Sequence, residues 1–351
     1  MESWHQVINV CAAILPVVVY IVVVYSIDRF ALISARRLLM LVLCGVLAGL
    51  LCFGIFQLTP LNARLSNWTD LIVEELVKAI PLLVLAWRKK MPFFIDSVVC
   101  GAAVGGGFCI VENLLYLLGE PMGVGTALFR GLEVALIHMG CTACVAAGLM
   151  FAVRLVERHH CHLEIKRKDI AMTVLLLVFG PILHVAHNAF HFHPVLQFTV
   201  VFGAMAGLLV WIWQYDTNMI HRWIDKGLNK QLAVALSLRE GKLDDTPTGQ
   251  YLLKVKNAFS PEVFNDLVRY VQLYTELSVA AKSRFMVREA GLDYPMDEER
   301  RQTLFSQYEE YQQLEQRLEA SVRSIVAPLL KFYPADRKAL SDLIKDCKTK
   351  K

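Results

Sequence analysis

Four apolar stretches of this chain each carry groups able to move protons: Glu74-Glu75-Leu-Val-Lys78, Glu112-Asn113, His138, and His184-Val-Ala-His187-Asn188. An ionisable side chain near a bilayer centre costs roughly 2.5 to 3.5 kcal/mol on insertion scales, so several in neighbouring helices imply a compensating polar site. Hydrolysing an amide needs a base to deprotonate water, donors for the developing oxyanion and an acid for the leaving amine. A glutamate in a low-dielectric pocket serves as base or acid, with a histidine in the other proton role. Asn188, one turn after His184, offers a side-chain donor, and Lys78, four residues after Glu74 and three after Glu75, is spaced to hold one carboxylate ionised. Histidines and glutamates are also ordinary zinc ligands, so Glu75, Glu112, His138 and His184 form an alternative metal set. The absence of a His-Glu-x-x-His stretch leaves ligation unread from spacing.

The elements that must position these groups are membrane helices. With 351 residues, 56% of them hydrophobic, and a mean hydropathy of +0.45, composition alone indicates a membrane protein. Seven apolar runs reach the length of about 20 residues that a helical crossing takes. They lie near 7–27, 38–58, 69–87, 93–118, 128–152, 170–190 and 194–215. The first, second and seventh are plain apolar helices. At 1.5 Å per residue, Glu74, Glu75, Glu112 and His184 fall roughly 10 Å, and His138 about 16 Å, below the outer ends of their spans, all in the outer half.

Orientation follows from Lys and Arg, which accumulate in cytoplasmic loops. Arg29, Arg36 and Arg37 follow the first span, Arg88, Lys89 and Lys90 the third, and Arg154, Arg158, Lys166, Arg167 and Lys168 the fifth, while the opposite loops hold little beyond Arg64 and Arg130. The amino terminus is expected outside and the carboxyl terminus in the cytoplasm. Trp4 and Trp68 suit the outer interface, and Trp87, Trp211 and Trp213 the inner one. The first span lacks a basic leader and a small-residue cleavage site, which reads as a retained anchor.

Small residues supply close packing: Ser97, Gly101 and Gly105 lead along one helical stripe through Phe108 to Glu112 and Tyr116. Gly180-Pro181 is expected to kink the sixth span just before His184. Arg130 and Glu133, three apart, are expected to pair, Asp96 to cap a helix, and His187 and His191 to lie near the outer mouth. Cys141-x-x-Cys144 has redox or zinc spacing but no second pair nearby, and His159, His160, Cys161 and His162 read as part of a solvated basic loop. Charge concentrates after Tyr215, which makes residues 216–351 a second, water-facing helical domain distinct from the membrane domain at 1–215. Breaks are expected at Asp244–Gly249 and Gly291–Pro295, with one long helix from about 297 to 332. Lys348, Lys350 and Lys351 form a short basic tail suited to anionic lipid, and a net charge of +4 gives no argument for a nucleic-acid partner. Nothing in these residues fixes an oligomeric state.

Glu74-Glu75-x-x-Lys78, Phe108-x-x-x-Glu112-Asn113 with Tyr116, His138 with Thr142 one turn on, and His184-x-x-x-Asn188 together resemble the PrsW family of intramembrane proteases. That family is related to the CAAX prenyl endopeptidases, and the likeness covers about residues 65–215. It implies an all-α polytopic protein in a bacterial inner membrane that cleaves a membrane-anchored protein, an anti-sigma factor in PrsW itself, near the extracytoplasmic side. It further implies that Glu74 or Glu75 activates water, that His138 and His184 assist, and that Asn188 holds the oxyanion, with Lys78, Asn113 and Tyr116 in support. The second motif ends in histidine in the CAAX branch, whereas here that position is Glu112. No cofactor is firmly implied, and zinc remains the alternative. A proton- or metal-coupled transporter is the competing class, although no internal repeat is visible. A non-catalytic membrane scaffold is the third.

Overall fold

In a computed structural model, all residues are described except 1, 28–32, 59–66, 89, 92, 120–121, 161–164, 190–192, 290–291, 331–333 and 350–351. Arg29, Arg64, Lys89, Cys161, His162, His191, Gly291, Lys350 and Lys351 therefore lie outside the described residues, as do the side chains of Trp68 and His160. The protein is all-α among the described residues: α1 (Glu2–Ile27), α2 (Ala35–Leu58), α3 (Asn67–Trp87), α4 (Phe94–Gly119), α5 (Val124–His160), α6 (Arg167–Ala189), α7 (Pro194–Arg239), α8 (Pro247–Val255), α9 (Pro261–Glu289), α10 (Glu298–Arg317), α11 (Ala320–Leu330) and α12 (Pro334–Thr349). Two compact units divide within α7, after Asp216.

The first unit is built around α4, which packs on α1, α2, α3 and α5, while α5 also meets α1, α3 and α6. Burial of α4 on nearly every side follows from its glycines. An added Cβ on Gly105 would overlap the His138 carbonyl of α5, and one on Gly101 would run into Thr142 and Ala143. On the opposite face Gly107 meets the Val42 carbonyl of α2, and Gly45 of α2 meets that of Val104. Lipid supplies no hydrophobic force between helices, so such backbone approach is what gives van der Waals contact its reach.

The start of α4 is tied down by two buried aspartates. Asp96 Oδ2 accepts from the Phe93 N–H at 3.0 Å, the expected cap. Asp216 of α7 accepts from the next two, Phe94 at 3.0 Å and Ile95 at 2.8 Å. The Phe94 ring meets Phe151, Trp211 and Tyr215 edge-on. α6 runs through Pro181 without a break in the helix, and Gly180 lies against the Cys141 carbonyl.

Among the described residues, six of the seven helices in this unit are long and apolar enough to cross a membrane. The exception is α3, which carries Asp70, Glu74, Glu75 and Lys78 among its 21 residues. Glu75 and Lys78 point inward, while Leu76, Ile80, Leu83 and Val84 are exposed. Polar groups inside and apolar groups outside invert the soluble pattern, as a lipid-facing helix requires.

The second unit packs α10, α11 and α12 on α9. Leu267, Val271, Leu273 and Leu277 are fully buried on α9, and the Tyr270 and Tyr311 rings stack at 5.1 Å. The single helix expected over 297–332 is instead two: the chain leaves α10 through an extended Leu318, which is itself buried, before α11 begins. A straight rod would carry its second half away from α9, whereas the break lets both helices bury apolar residues on it. The break expected near 244–249 holds a short 3-10 turn, after which Thr246 caps α8. Lys282 of α9 is almost fully buried, donating to Gln231 Oε1 at 2.6 Å and pairing with Asp336 of α12 at 2.8 Å. Burial pushes its ammonium below the ordinary lysine range, with Asp336 pulling the other way.

Two stability tests follow. Gly107→Ala should lower thermal stability in detergent by about 1–3 kcal/mol through overpacking, whereas Gly54→Ala, with nothing within 4 Å, should leave it unchanged. Asp336→Asn should cost about 3–5 kcal/mol by stranding Lys282, measured by denaturant unfolding of the full chain. Equal melting of the two glycine variants would rule out the close-approach account.

Candidate active site

Four helices bring their polar groups to one place. Lys78 Nζ, with no exposed surface, donates to Glu75 Oε1 at 2.5 Å, both on α3. The same Nζ lies 3.0 Å from His138 Nδ1 on α5 and 4.5 Å over the centroid of the Phe108 ring on α4. Glu75 Oε1 also meets His184 Nδ1 of α6 at 2.8 Å. On the far side of His138, Nε2 contacts Glu112 Oε2 of α4 at 2.5 Å. The two imidazoles stand edge to face with centroids 4.8 Å apart.

Hydrogen-bond logic fixes the proton positions. An ammonium has only donors, so His138 Nδ1 accepts from Lys78 and its Nε2–H donates to Glu112. At His184, Nδ1–H donates to the Glu75 carboxylate. Each imidazole is thus oriented by its own glutamate, which is how ligating histidines are usually held.

Glu74, adjacent in sequence to Glu75, points to a different part of the cluster, because neighbours on a helix are turned about 100° apart. Its Oε2 is buried and meets no donor among the described residues, as is true of Glu75 Oε2 and of Thr142 Oγ1 one turn beyond His138. Buried oxygens rarely stay unpaired, so one on each of the two adjacent glutamates marks a place that expects a guest. Ligand atoms of Glu74, His138 and His184 all lie within 4.8 Å of one another. Residue type put Glu75 and Glu112 in the alternative metal set, but Glu75 Oε1 is taken up by Lys78 and His184, and Glu112 by His138 and Arg130. The carboxylate that faces both rings is Glu74.

Other expected members lie elsewhere. Asn188 is exposed, and its Oδ1 faces His187 Nδ1 at 3.2 Å rather than the cluster, since one helical turn carries it toward the end of α6. Asn113 is buried but donates to the Ala13 carbonyl of α1 at 3.3 Å and to Cys109 Sγ at 3.4 Å, a packing role. Tyr116 is half exposed and carries the Arg130 guanidinium 3.5 Å over its ring. The expected Arg130–Glu133 pair does not form. Arg130 instead reaches across to Glu112 Oε1 at 2.8 Å, and Glu133 accepts from His187 Nε2 at 3.0 Å. Interhelical partners win because they also satisfy polar groups on α4 and α6. Sequence carried a usable signal for Arg130, which lies two turns before His138 on the same stripe of α5. Cys141 and Cys144 are buried free thiols.

A family model described as "PrsW family intramembrane metalloprotease" matches residues 34–214, just over half of the chain. The chain belongs to this family. It is an integral membrane protein and an intramembrane protease, whose substrate is a membrane protein. The matched region of this PrsW-family chain spans α3 to α6 and every residue of the cluster. No curated protein and no solved structure matches the chain.

The geometry separates the paired glutamates. Glu75→Gln should destabilise the protein by about 3–5 kcal/mol because it strands the buried Lys78 charge. Glu74→Gln should change stability by less than about 1 kcal/mol, since one of its oxygens has nothing to lose. Thermal unfolding of both in the same detergent checks the difference. A larger loss in the Glu74 variant would reverse their assignment.

Proposed function

We propose that this PrsW-family protein hydrolyses a peptide bond of a membrane-anchored protein at the cluster formed by Glu74, His138 and His184, with Glu74 the carboxylate on which the reaction depends. What supports the reading is the unsatisfied buried oxygen of Glu74, held close to two imidazoles that are each oriented by a second glutamate.

The donor types fit a metal ion on the condition that Lys78 gives up His138 Nδ1, because the other nitrogen of that ring already donates to Glu112. Two histidines and one glutamate are an ordinary catalytic zinc set, and the carboxylates on the rings complete it. Zinc, when bound there, supplies a polarised water and carbonyl. The chain's own residues do the rest. Glu75 fixes the orientation of the His184 ring through Nδ1–H, and Glu112 fixes that of His138 through Nε2–H. Lys78 balances the charge of Glu75 and can release His138 Nδ1 without losing that partner. Glu112, like Glu74, is only partly buried. Without a metal, Glu74 is still placed to take a proton from water, with His184 Nε2 as its partner in proton transfer.

The cluster sits between α3, α4, α5 and α6, and the loop charges support an arrangement with their outer halves on the extracytoplasmic side, the amino terminus outside and the carboxyl terminus in the cytoplasm. A bacterial inner membrane is the setting the resemblance carries, and an anti-sigma factor is the substrate it suggests. The second, charged unit has a cytoplasmic location in this arrangement.

Purified protein acting on a tethered peptide tests the proposal. Glu74→Gln and His184→Ala should each lower kcat by at least about 100-fold, in line with loss of an acid–base group, while retaining a cooperative melt. Chelation should abolish cleavage and zinc should restore it. Full activity in Glu74→Gln would sink the assignment of the site, and activity that survives exhaustive chelation would leave Glu74 as the direct base. Folded but inactive wild-type protein that instead moves ions across vesicles would favour the transporter.

A further inference from the structure

We propose that Arg130 is a positioning residue for the reaction: stacked on Tyr116, it holds one oxygen of Glu112 so that the other is presented to His138. The inference rests on the protease reading above and adds to it a residue outside the motifs that carry the resemblance. Three contacts support it. Arg130 donates to Glu112 Oε1 at 2.8 Å, while Oε2 of the same carboxylate takes the His138 contact at 2.5 Å. The guanidinium lies 3.5 Å above the Tyr116 ring, one turn along α4 from Glu112, a distance at which cation and π-face attract. Its Nε is buried without a hydrogen-bond partner, so Arg130 gives up a bond to take this pose. A closer, sequence-local acid was on offer in Glu133, and Arg130 does not use it.

The chemistry this arrangement performs is orientation. A glutamate side chain with three free torsions samples many poses, and each of its oxygens is here fixed by a different residue of α5. With Arg130 in place Glu112 is a fixed acceptor, and the His138 ring is held by Glu112 on one side and Lys78 on the other. Remove the arginine and Glu112, which is only partly buried, is free to turn away, leaving the His138 ring pinned from one side only. Partners of this kind that orient a reacting histidine change affinity or activity by about 10- to 100-fold when removed.

Full-length protein labelled with nitrogen-15 histidine tests the inference, with His138→Gln assigning the His138 ring signals. In Arg130→Ala those signals should shift or broaden in the metal-free protein, and kcat should fall about 10- to 100-fold with little change in KM. Arg130→Lys, which keeps the charge, should recover part of the loss, and guanidinium added below denaturing concentration should raise the activity of Arg130→Ala. If Arg130→Ala does not fold, Tyr116→Leu removes the shelf beneath the guanidinium at an exposed position and should give a smaller loss of the same kind. Wild-type kcat with unmoved His138 signals would overturn the inference, and so would a loss of activity with unmoved signals and no rescue. Were the wild-type protein to cleave nothing, the protease reading would fall, and the His138 signals alone would decide for or against positioning by Arg130.

Discussion

A lysine ammonium with no exposed surface, inside a bundle whose outer faces are apolar, is the constraint on which the rest of the first unit depends. Lys78 can stay charged there only if negative and lone-pair partners touch it, and Glu75 and His138 do so at 2.5 and 3.0 Å. The requirement ties α3 to α5 directly, and through Glu75 and His184 to α6. Replacing the trio by apolar side chains would suit packing equally well. That polar groups stand there instead, with oxygens still unpaired around them, is what separates a reactive cluster from a structural one.

Close approach of backbones is the second condition. Side chains as short as glutamate and histidine bridge four helices only if those helices run nearly in contact, and the glycines of α4 allow it on both flanks. Gly105 lies against the very residue, His138, whose ring the cluster uses. The packing surface and the chemistry are therefore adjacent on one stripe, Gly101, Gly105, Phe108 and Glu112, which serves first as contact and then as site.

Much of this was legible in the sequence because lipid makes ionisable residues conspicuous: Glu74, Glu75, Lys78, Glu112, His138 and His184 stood out by burial cost alone, and all six converge. Direction was harder to read. Local spacing paired Arg130 with Glu133, but a helix surface also faces its neighbours, and partners on α4 and α6 outcompeted the intrahelical one. Asn188 shared a face with His184 on paper, yet a rise of about 5 Å per turn was enough to move it out of the cluster. Which of two adjacent glutamates would be pinned and which left open depends on where α5 and α6 sit, and no property of α3 by itself contains that. In the second unit the charged run after Asp297 concealed Leu318, whose burial decides where one helix ends.

The clamp on the first residues of α4 has a mechanical side. Asp96 and Asp216 fix the amide groups of Phe93 to Ile95, and Glu112 lies eighteen residues farther along the same rod, about 27 Å away. Over that lever arm a tilt of about two degrees at the anchored end sweeps the carboxylate through about 1 Å, a misplacement on the scale that costs a well-ordered reaction about 100-fold. A substitution at Asp216, remote from every reacting group, would be felt first at the amides of Phe94 and Ile95 and then, along α4, at Glu112.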